Sequence, residues 1–241
     1  MASTITLANS ITWAQGYLFS QPLTLGAANE PAITIANIIK QAILGPPFCW
    51  RWNRGVLSTP ISLSQGTQDY SKAVADFGFI EKAWLTLPTT NAVKEIEEIV
   101  DVLPAETIQG RPDRAIAAQL DDNAGNITFR LSPVPDQSGY AAQVTYQKKP
   151  TLFTATSGTW APIPDEYSYI YQYGFLGMAL AFNKDPRAGV YDSRFVAHLL
   201  GCQGGLSEMQ KNIFLGKWLS TALEVGTMNQ RAQLGVQGRS Q

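Results

Sequence analysis

Trp160-Ala-Pro-Ile-Pro-Asp-Glu-Tyr-Ser-Tyr-Ile-Tyr-Gln-Tyr-Gly-Phe-Leu176 is the stretch that decides how this chain folds. Pro162 and Pro164 keep the backbone extended, because each proline ring pushes the residue before it out of the helical region. Asp165 then stands where a helix N-cap is expected, and Glu166 adds negative charge at the helix start. Beyond it Tyr167, Ile170, Tyr171, Gly174, Leu176, Met178 and Ala181 spread apolar surface around much of a helix over residues 165–183. A helix apolar on more than one side is expected to be buried on more than one side. It follows a region with the two-residue alternation of strands, so a sheet-rich segment rejoins a helical one here.

Upstream, Ile5, Leu7, Ile11, Trp13, Tyr17 and Phe19 recur at about period two, interrupted by Gly16 and Pro22. That spacing predicts an extended N-terminal arm or short strand over residues 1–28. A first helix is expected from Asn29-Glu-Pro-Ala, with Asn29 as N-cap and Pro31 tolerated in the first turn. Ile35, Ile38, Ile39, Ala42 and Ile43 keep helical spacing until Gly45-Pro46-Pro47 stops it. The pattern then changes: Leu57, Ile61 and Leu63 alternate with Ser58, Ser62 and Ser64, and residues 79–87 form the next strand. Residues 92–103 fit a helix through Val93, Ile96, Val100 and Leu103, or a strand through the Val100/Val102 pair; their neighbours favour the strand. Residues 114–122 and 126–133 form the clearest hairpin, with Ile127, Phe129 and Leu131 on one face and Asn123-Ala-Gly125 as its turn. Tyr140, Ala142, Val144 and Tyr146 supply the inward face of one more strand.

After the aromatic helix a loop spans residues 185–189, and a helix over 193–202 ends at Gly204-Gly205. Ser207-Glu-Met-Gln210 reads as a capping box. Met209, Ile213, Phe214, Leu219 and Leu223 are expected to be the buried stripe of the helix it starts. The predicted class is α+β: a helical bundle carrying an inserted antiparallel β-sandwich or barrel-like domain. Its parts are the arm 1–28, a helical core of 29–53 plus 152–228, a β-rich insertion 54–151, and a Gln/Gly/Ser-rich flexible tail 229–241.

Chemistry is sparse. The 241 residues are 45% hydrophobic and 15% charged, with a net charge of −1, against the basic excess of a dedicated nucleic-acid binder. The start lacks the basic region of a signal peptide, and no run is long enough for a membrane span, so residence in a cytoplasm or assembly there is expected. Cys49 and Cys202 form no CxxC pair and read as free buried thiols, with a disulfide as the alternative. His198 is the one histidine and reads as a packed or interface residue; without a second His or a CxxC the usual zinc ligands are missing. No dinucleotide fingerprint, Walker loop or nucleophile elbow is present, and Gly201-Cys-Gln-Gly-Gly205 follows a helix, which makes it a helix connection. Glu95, Glu97 and Glu98, then Asp121 and Asp122, are the acidic clusters that a glycoside hydrolase would need across a cleft; they read as a solvated face and a turn. Phe48-Cys-Trp-Arg-Trp-Asn53 offers either a sugar-stacking platform or a core staple, the latter favoured, with Arg51, Asn53 and Arg54 toward solvent or a partner. Lys148-Lys149-Pro150 is too short for a nucleic-acid site. No catalytic, cofactor-binding or metal residues are assigned, no cofactor is expected, and the chain is not read as an enzyme.

Several stretches carry a resemblance. Phe48-x-Trp-Arg-Trp-Asn53 after a first helix, Gly66-Thr-x-Asp-Tyr70, Arg111-Pro112 and Asn126-Ile-Thr-Phe-Arg-Leu-x-Pro-x-Pro135 resemble small virion proteins of tailed bacteriophages. Tyr146-Gln-Lys-Lys-Pro150, Trp160-x-Pro-Ile-Pro-Asp-Glu-Tyr167 and Gly205-Leu-Ser-Glu-Met-Gln-Lys-Asn-Ile-Phe-Leu215 fit the same pattern, covering about residues 29–220. The layout is similar to head-to-tail adaptor (connector or gatekeeper) proteins. That resemblance implies a structural virion protein forming a ring of about twelve copies below the portal at the neck, linking capsid to tail. It implies as partners further copies of itself, the portal protein and a tail or further neck protein, with DNA only passing through the channel and no membrane. Termini that order on assembly are expected too. The alternatives are a tail-completion or minor tail protein and, further off, a glycan-binding β module using Trp50, Trp52 and Trp84.

Overall fold

The computed structural model describes residues 3–18, 24–25, 30–121 and 126–237. It is a mixed α+β chain that divides into two compact units, one formed by Met1–Phe48 with Pro150–Gln241 and the other by Cys49–Lys149.

The first unit is helical. Residues Leu7–Gln15 form α1, where period two predicted an arm or strand. The reason is a capping box: Asn9 N–H donates to the Thr6 hydroxyl, and the Thr6 N–H donates to the Asn9 side-chain oxygen. Leu7, Ile11 and Ala14, spaced by four and three, are its buried face. Short strands β1 (Thr24–Leu25) and β2 (Glu30–Pro31) pair antiparallel. Helix α2 follows over Ala32–Leu44. Asn29, the expected cap, lies outside the described residues; the Glu30 carboxylate instead accepts from the Thr34 N–H at 3.1 Å. Gly45 ends α2, its N–H reaching the Gln41 carbonyl.

The aromatic stretch forms a 3-10 turn, Asp165–Tyr167, and then α3, Ser168–Phe182. Asp165 is not the N-cap. Its carboxylate accepts from the hydroxyls of Ser3 (2.6 Å) and Thr4 (2.7 Å) and from the Thr4 N–H. These donors from the N-terminal segment pull its pKa down to about 2, Ser3 first and then Thr4. Helix α3 is buried on several sides, at Ile170, Tyr171, Phe175, Leu176, Met178 and Leu180, and packs against α1, α2, α4 (Ala188–Gly201) and α5 (Glu208–Gln237). Gly174 and Gly177 permit this closeness. A Cβ at Gly174 would sit 2.8 Å from the Phe195 ring, and one at Gly177 3.0 Å from the Asp192 amide.

The Ser207/Gln210 capping box is present at the start of α5. The helix then continues through Gln237, across most of the stretch read as a tail; residues 238–241 lie outside the described residues. Of the expected stripe Phe214 holds and the other four residues do not. Phe214 and Trp218 are buried, whereas Met209, Ile213, Leu219 and Leu223 are 73%, 48%, 58% and 73% exposed. Two indole and ring anchors, four residues apart, outcompete the aliphatics for the inner face: Trp218 packs on Phe195 and donates its N–H to Asp192 at 2.6 Å.

Lys40 on α2 is 2% exposed. Its Nζ donates to the Thr159 carbonyl at 3.2 Å and lies 4.4 Å from the centroid of the Phe153 ring. Burial lowers its pKa from 10.5 to about 8. The unfolded chain therefore holds this proton up to its ordinary pKa, while the folded chain releases it near 8. Unfolding takes up a proton between those values, so the lysine's contribution to stability is flat below about pH 8 and rises with pH up to 10.5. Urea midpoints of wild type relative to Lys40→Met should climb across that window; a constant difference would show that Lys40 stays charged in the fold.

The second unit is built from strands. After a 3-10 turn at Arg51–Asn53 come β3 (Arg54–Val56), β4 (Ile61–Ser62), β5 (Asp69–Lys72) and β6 (Phe77–Thr86). Then follow β7 (Val93–Glu95), β8 (Glu98–Ile99), β9 (Gln109–Gly110), β10 (Ala115–Asp121), β11 (Asn126–Ser132), β12 (Val134–Pro135) and β13 (Ala141–Lys148). Residues 92–103 are thus extended where described as β7 and β8, as their neighbours predicted. One sheet runs β5-β11-β10-β8, another β3-β13-β6-β7 with β4 also on β13, and β12 pairs β9. Most pairings are antiparallel, but β8/β10 and β9/β12 are parallel.

The β10/β11 hairpin holds its register from Ala115↔Ser132 to Asp121↔Asn126, and its predicted turn lies outside the described residues. Ile127, Phe129 and Leu131 are buried, and Phe129 stands opposite the small Ala118. On the other face Arg130 forms a two-pronged ion pair with Asp69 at 2.6 and 2.7 Å. Tyr140, just ahead of β13, and Ala142, Val144 and Tyr146 on it join Phe129, Leu131, Ile80 and Leu85 in one apolar cluster drawn from both larger sheets. The Tyr146 ring lies across Gly55, its β3 partner, where an added Cβ would come within 2.4 Å of it.

Candidate interaction surfaces

The residues singled out as possible chemistry are dispersed or already occupied. Glu95 pairs with Lys82 at 3.2 Å, and Lys94 bridges Glu97 and Asp113 at 3.5 and 2.6 Å. Asp122 lies outside the described residues. No group of three or more His, Cys, Asp or Glu fit to hold a metal occurs among the described residues. Cys49 and Cys202 are not joined in a disulfide; Cys49 is exposed where burial was expected, and Cys202 is half-buried.

The tryptophan pair is not an exposed platform. Trp50 is 4% exposed and stacks on Trp52 at 5.0 Å. Its backbone N–H is held by the Gln147 side chain, whose amide in turn donates to the Trp50 carbonyl. Asn53, expected toward solvent, is fully buried, because its side-chain amide donates to the Lys148 carbonyl at 2.9 Å. Arg51 and Arg54 are exposed, and Arg54 pairs with Glu81. Lys148 pairs with Asp76 at 3.1 Å.

Two surfaces of the helical unit remain. The first is a run of rings across α1, α3 and α4. Trp13 meets Tyr17 (5.2 Å), Tyr17 meets Tyr191 (6.1 Å), and Tyr191 meets Tyr173 (6.2 Å). Tyr173 stacks on His198 (5.5 Å), which also receives Tyr169 edge-on (5.1 Å). Arg194 lies over both Tyr173 and Tyr191, at 5.9 and 5.5 Å. The Tyr169 hydroxyl sits 3.3 Å from the Cys202 sulfur, and that contact, with burial, raises its pKa. His198 is therefore a surface ring held between tyrosines, not a core residue. Sequence spacing within α4 alone marks Tyr191, Arg194 and His198 as one helix face, but the α1 and α3 rings join it only in the fold.

The second surface is the outer face of α5, with Met209, Ile213, Leu219 and Leu223 exposed. Beside α5, a groove of about 280 Å3 is lined by Ile38, Ala42 and Pro46 at the end of α2 and by Phe214, Lys217 and Trp218. No helix among the described residues is long and apolar enough to cross a membrane.

A search of curated proteins returns no match. The family model for SU10 adaptor protein matches residues 24–213, from β1 through the β-rich unit and into the first turns of α5. With most of its length inside that match, the chain belongs to the SU10 adaptor protein family.

Proposed function

We propose that this phage structural adaptor forms a closed ring beneath the portal and joins the capsid to the tail at the neck of the virion. The match to the adaptor family over residues 24–213 carries the reading. Two contact-rich surfaces on the helical unit support it, since a ring subunit must present faces to neighbours on both sides. The architecture proposed is a helical bundle with a β-sandwich inserted between its second and third helices. The partners are further copies, about twelve to match a portal, then the portal itself and the next tail or neck protein, with DNA passing through the channel. Repeating one contact around an axis multiplies a weak interaction, so the free subunit is largely monomeric and the virion form closed.

The test is loss of the protein from assembling particles. A nonsense mutation in its gene should yield DNA-filled heads without tails, and adding purified protein should restore attachment. Images of labelled protein should place it at the neck. Tailed particles that lack the chain would overturn the neck assignment, and label on the tail tip would move the protein to the tail.

A further inference from the structure

Helix α5 folds back along α4 and is held there at few points. Among its residues whose burial is described, Phe214 and Trp218 alone are buried, whereas α3 is buried on several sides. Phe214 meets the Phe48 ring edge-on at 4.9 Å, and Trp218 packs on Phe195 and donates to Asp192. The groove of about 280 Å3 runs between α5 and the end of α2, so the two helices are not closely packed there. The connection from α4 is Gln203-Gly204-Gly205-Leu206-Ser207. Both glycines have nothing within 4 Å of where a Cβ would stand, and the Leu206 N–H reaches the Gln203 carbonyl only at 3.5 Å. Drawn out, these residues would span about 17 Å. Helix α5 also carries its own start, because the Ser207/Gln210 capping box is local and needs nothing from α4.

We propose that α5 is exchanged between copies: the linker opens, and Phe214 and Trp218 of one copy enter the seat formed by Phe48, Asp192 and Phe195 of the next. The inference rests on the ring reading above and names the contact that builds the ring. The occupant of that seat is fixed by the structure, since α5 of this same chain already fills it. A second copy presents the identical helix, so the ring contacts and the Trp218–Asp192 hydrogen bond are remade without any new complementarity. The closed and exchanged forms share these contacts. They differ at the linker, in what the neighbouring bodies add, and in the entropy of association. A self-capped helix on two anchors, tied by a glycine pair, is the kind of element that exchanges at low cost. The arm given and the seat filled are different parts of the chain, so the exchange runs head to tail and closes when its rotation divides the circle.

The experiment uses the full chain and changes only the linker, which leaves every buried side chain in place. Deleting Gly204 and Gly205 strains the turn back onto the same copy; a short Gly/Ser insert after Gly205 relaxes it. A third form replaces residues 203–206 with Ile-Glu-Gly-Arg, a protease site of the same length. Sedimentation should find wild type monomeric when dilute and oligomeric when concentrated. The deletion should oligomerise at about ten-fold lower concentration, and the insertion should stay monomeric with an unchanged melting temperature. Oligomers of the site-bearing form should fall apart on cleavage into monomers that each retain a severed α5, because in an exchanged oligomer the linker is what joins one body to the next. Self-association that ignores linker length, or that occurs in none of the forms, would overturn the proposal. Rings that survive complete cleavage are held by surface contacts; they would overturn the exchange and leave the ring reading standing. Dimers that dissolve on cleavage, with nothing larger formed, would support the exchange and count against the closed ring.

Discussion

Replacing Trp160 with alanine should cost the helical unit about 3–5 kcal/mol, the range for a buried large aromatic. The indole is fully buried. It stacks on Tyr171 with ring centroids 4.3 Å apart and planes 9° apart, and it receives Phe153 and Phe175 edge-on at 5.0 and 6.5 Å. Its N–H donates to the Ser10 hydroxyl at 2.8 Å, which ties α1 to the segment ahead of α3. Alanine would open a cavity among three rings and strip a buried serine of its donor. Trp160→Phe, which refills most of the volume without the N–H, should lose distinctly less. Chemical denaturation of both variants separates the packing loss from the hydrogen bond. A Trp160→Ala protein as stable as wild type would show that the aromatic stack does not hold this unit together.

The second large effect belongs to the β-rich unit. Phe129→Ala should also cost about 3–5 kcal/mol. Phe129 is fully buried and meets the Phe77 ring edge-on at 6.0 Å. It belongs to the apolar cluster drawn from both larger sheets. Phe129→Leu should recover much of the loss. The expected readout is a lowered midpoint of chemical unfolding. An unmoved midpoint would place the two sheets' cohesion elsewhere.

What the sequence made readable follows from which signals are local. The β10/β11 hairpin and the inward residues of β13 were legible because alternation within a strand and turn residues at its end are nearest-neighbour properties. Helix α3 was legible from its all-round apolarity, which has no other stable placement. Misreadings arose where a partner distant in sequence decides. Asp165 has every local mark of an N-cap, yet Ser3 and Thr4, more than 160 residues away, offer it stronger donors. Period-two spacing in residues 5–19 concealed α1, whose cap depends on the Thr6–Asn9 pair. In α5 several apolar residues fit helical spacing, and only the positions of Phe195 and Asp192 show that Trp218 takes the inner face. The candidate surface was half legible for the same reason. Tyr191, Arg194 and His198 share one helix, whereas Trp13, Tyr17, Tyr169 and Tyr173 reach them only through tertiary packing.

The closure of the β-rich unit on itself has a consequence for how such a gene can change. Its first strand, β3, is hydrogen-bonded to its last, β13, with Arg54 opposite Gln147 and Gly55 opposite Tyr146. Just outside that pairing, Trp50 and Asn53 are fastened to Gln147 and Lys148. The chain thus departs and returns at one place, like a loop of cord tied at its neck. Insertions or deletions between β4 and β12 alter what hangs from that knot without moving its two ends apart. Selection for a new partner is then free to rework the β-rich module while the helices keep their contacts, and chimaeras exchanging residues 57–140 between relatives should fold more readily than exchanges cut anywhere inside the helical unit.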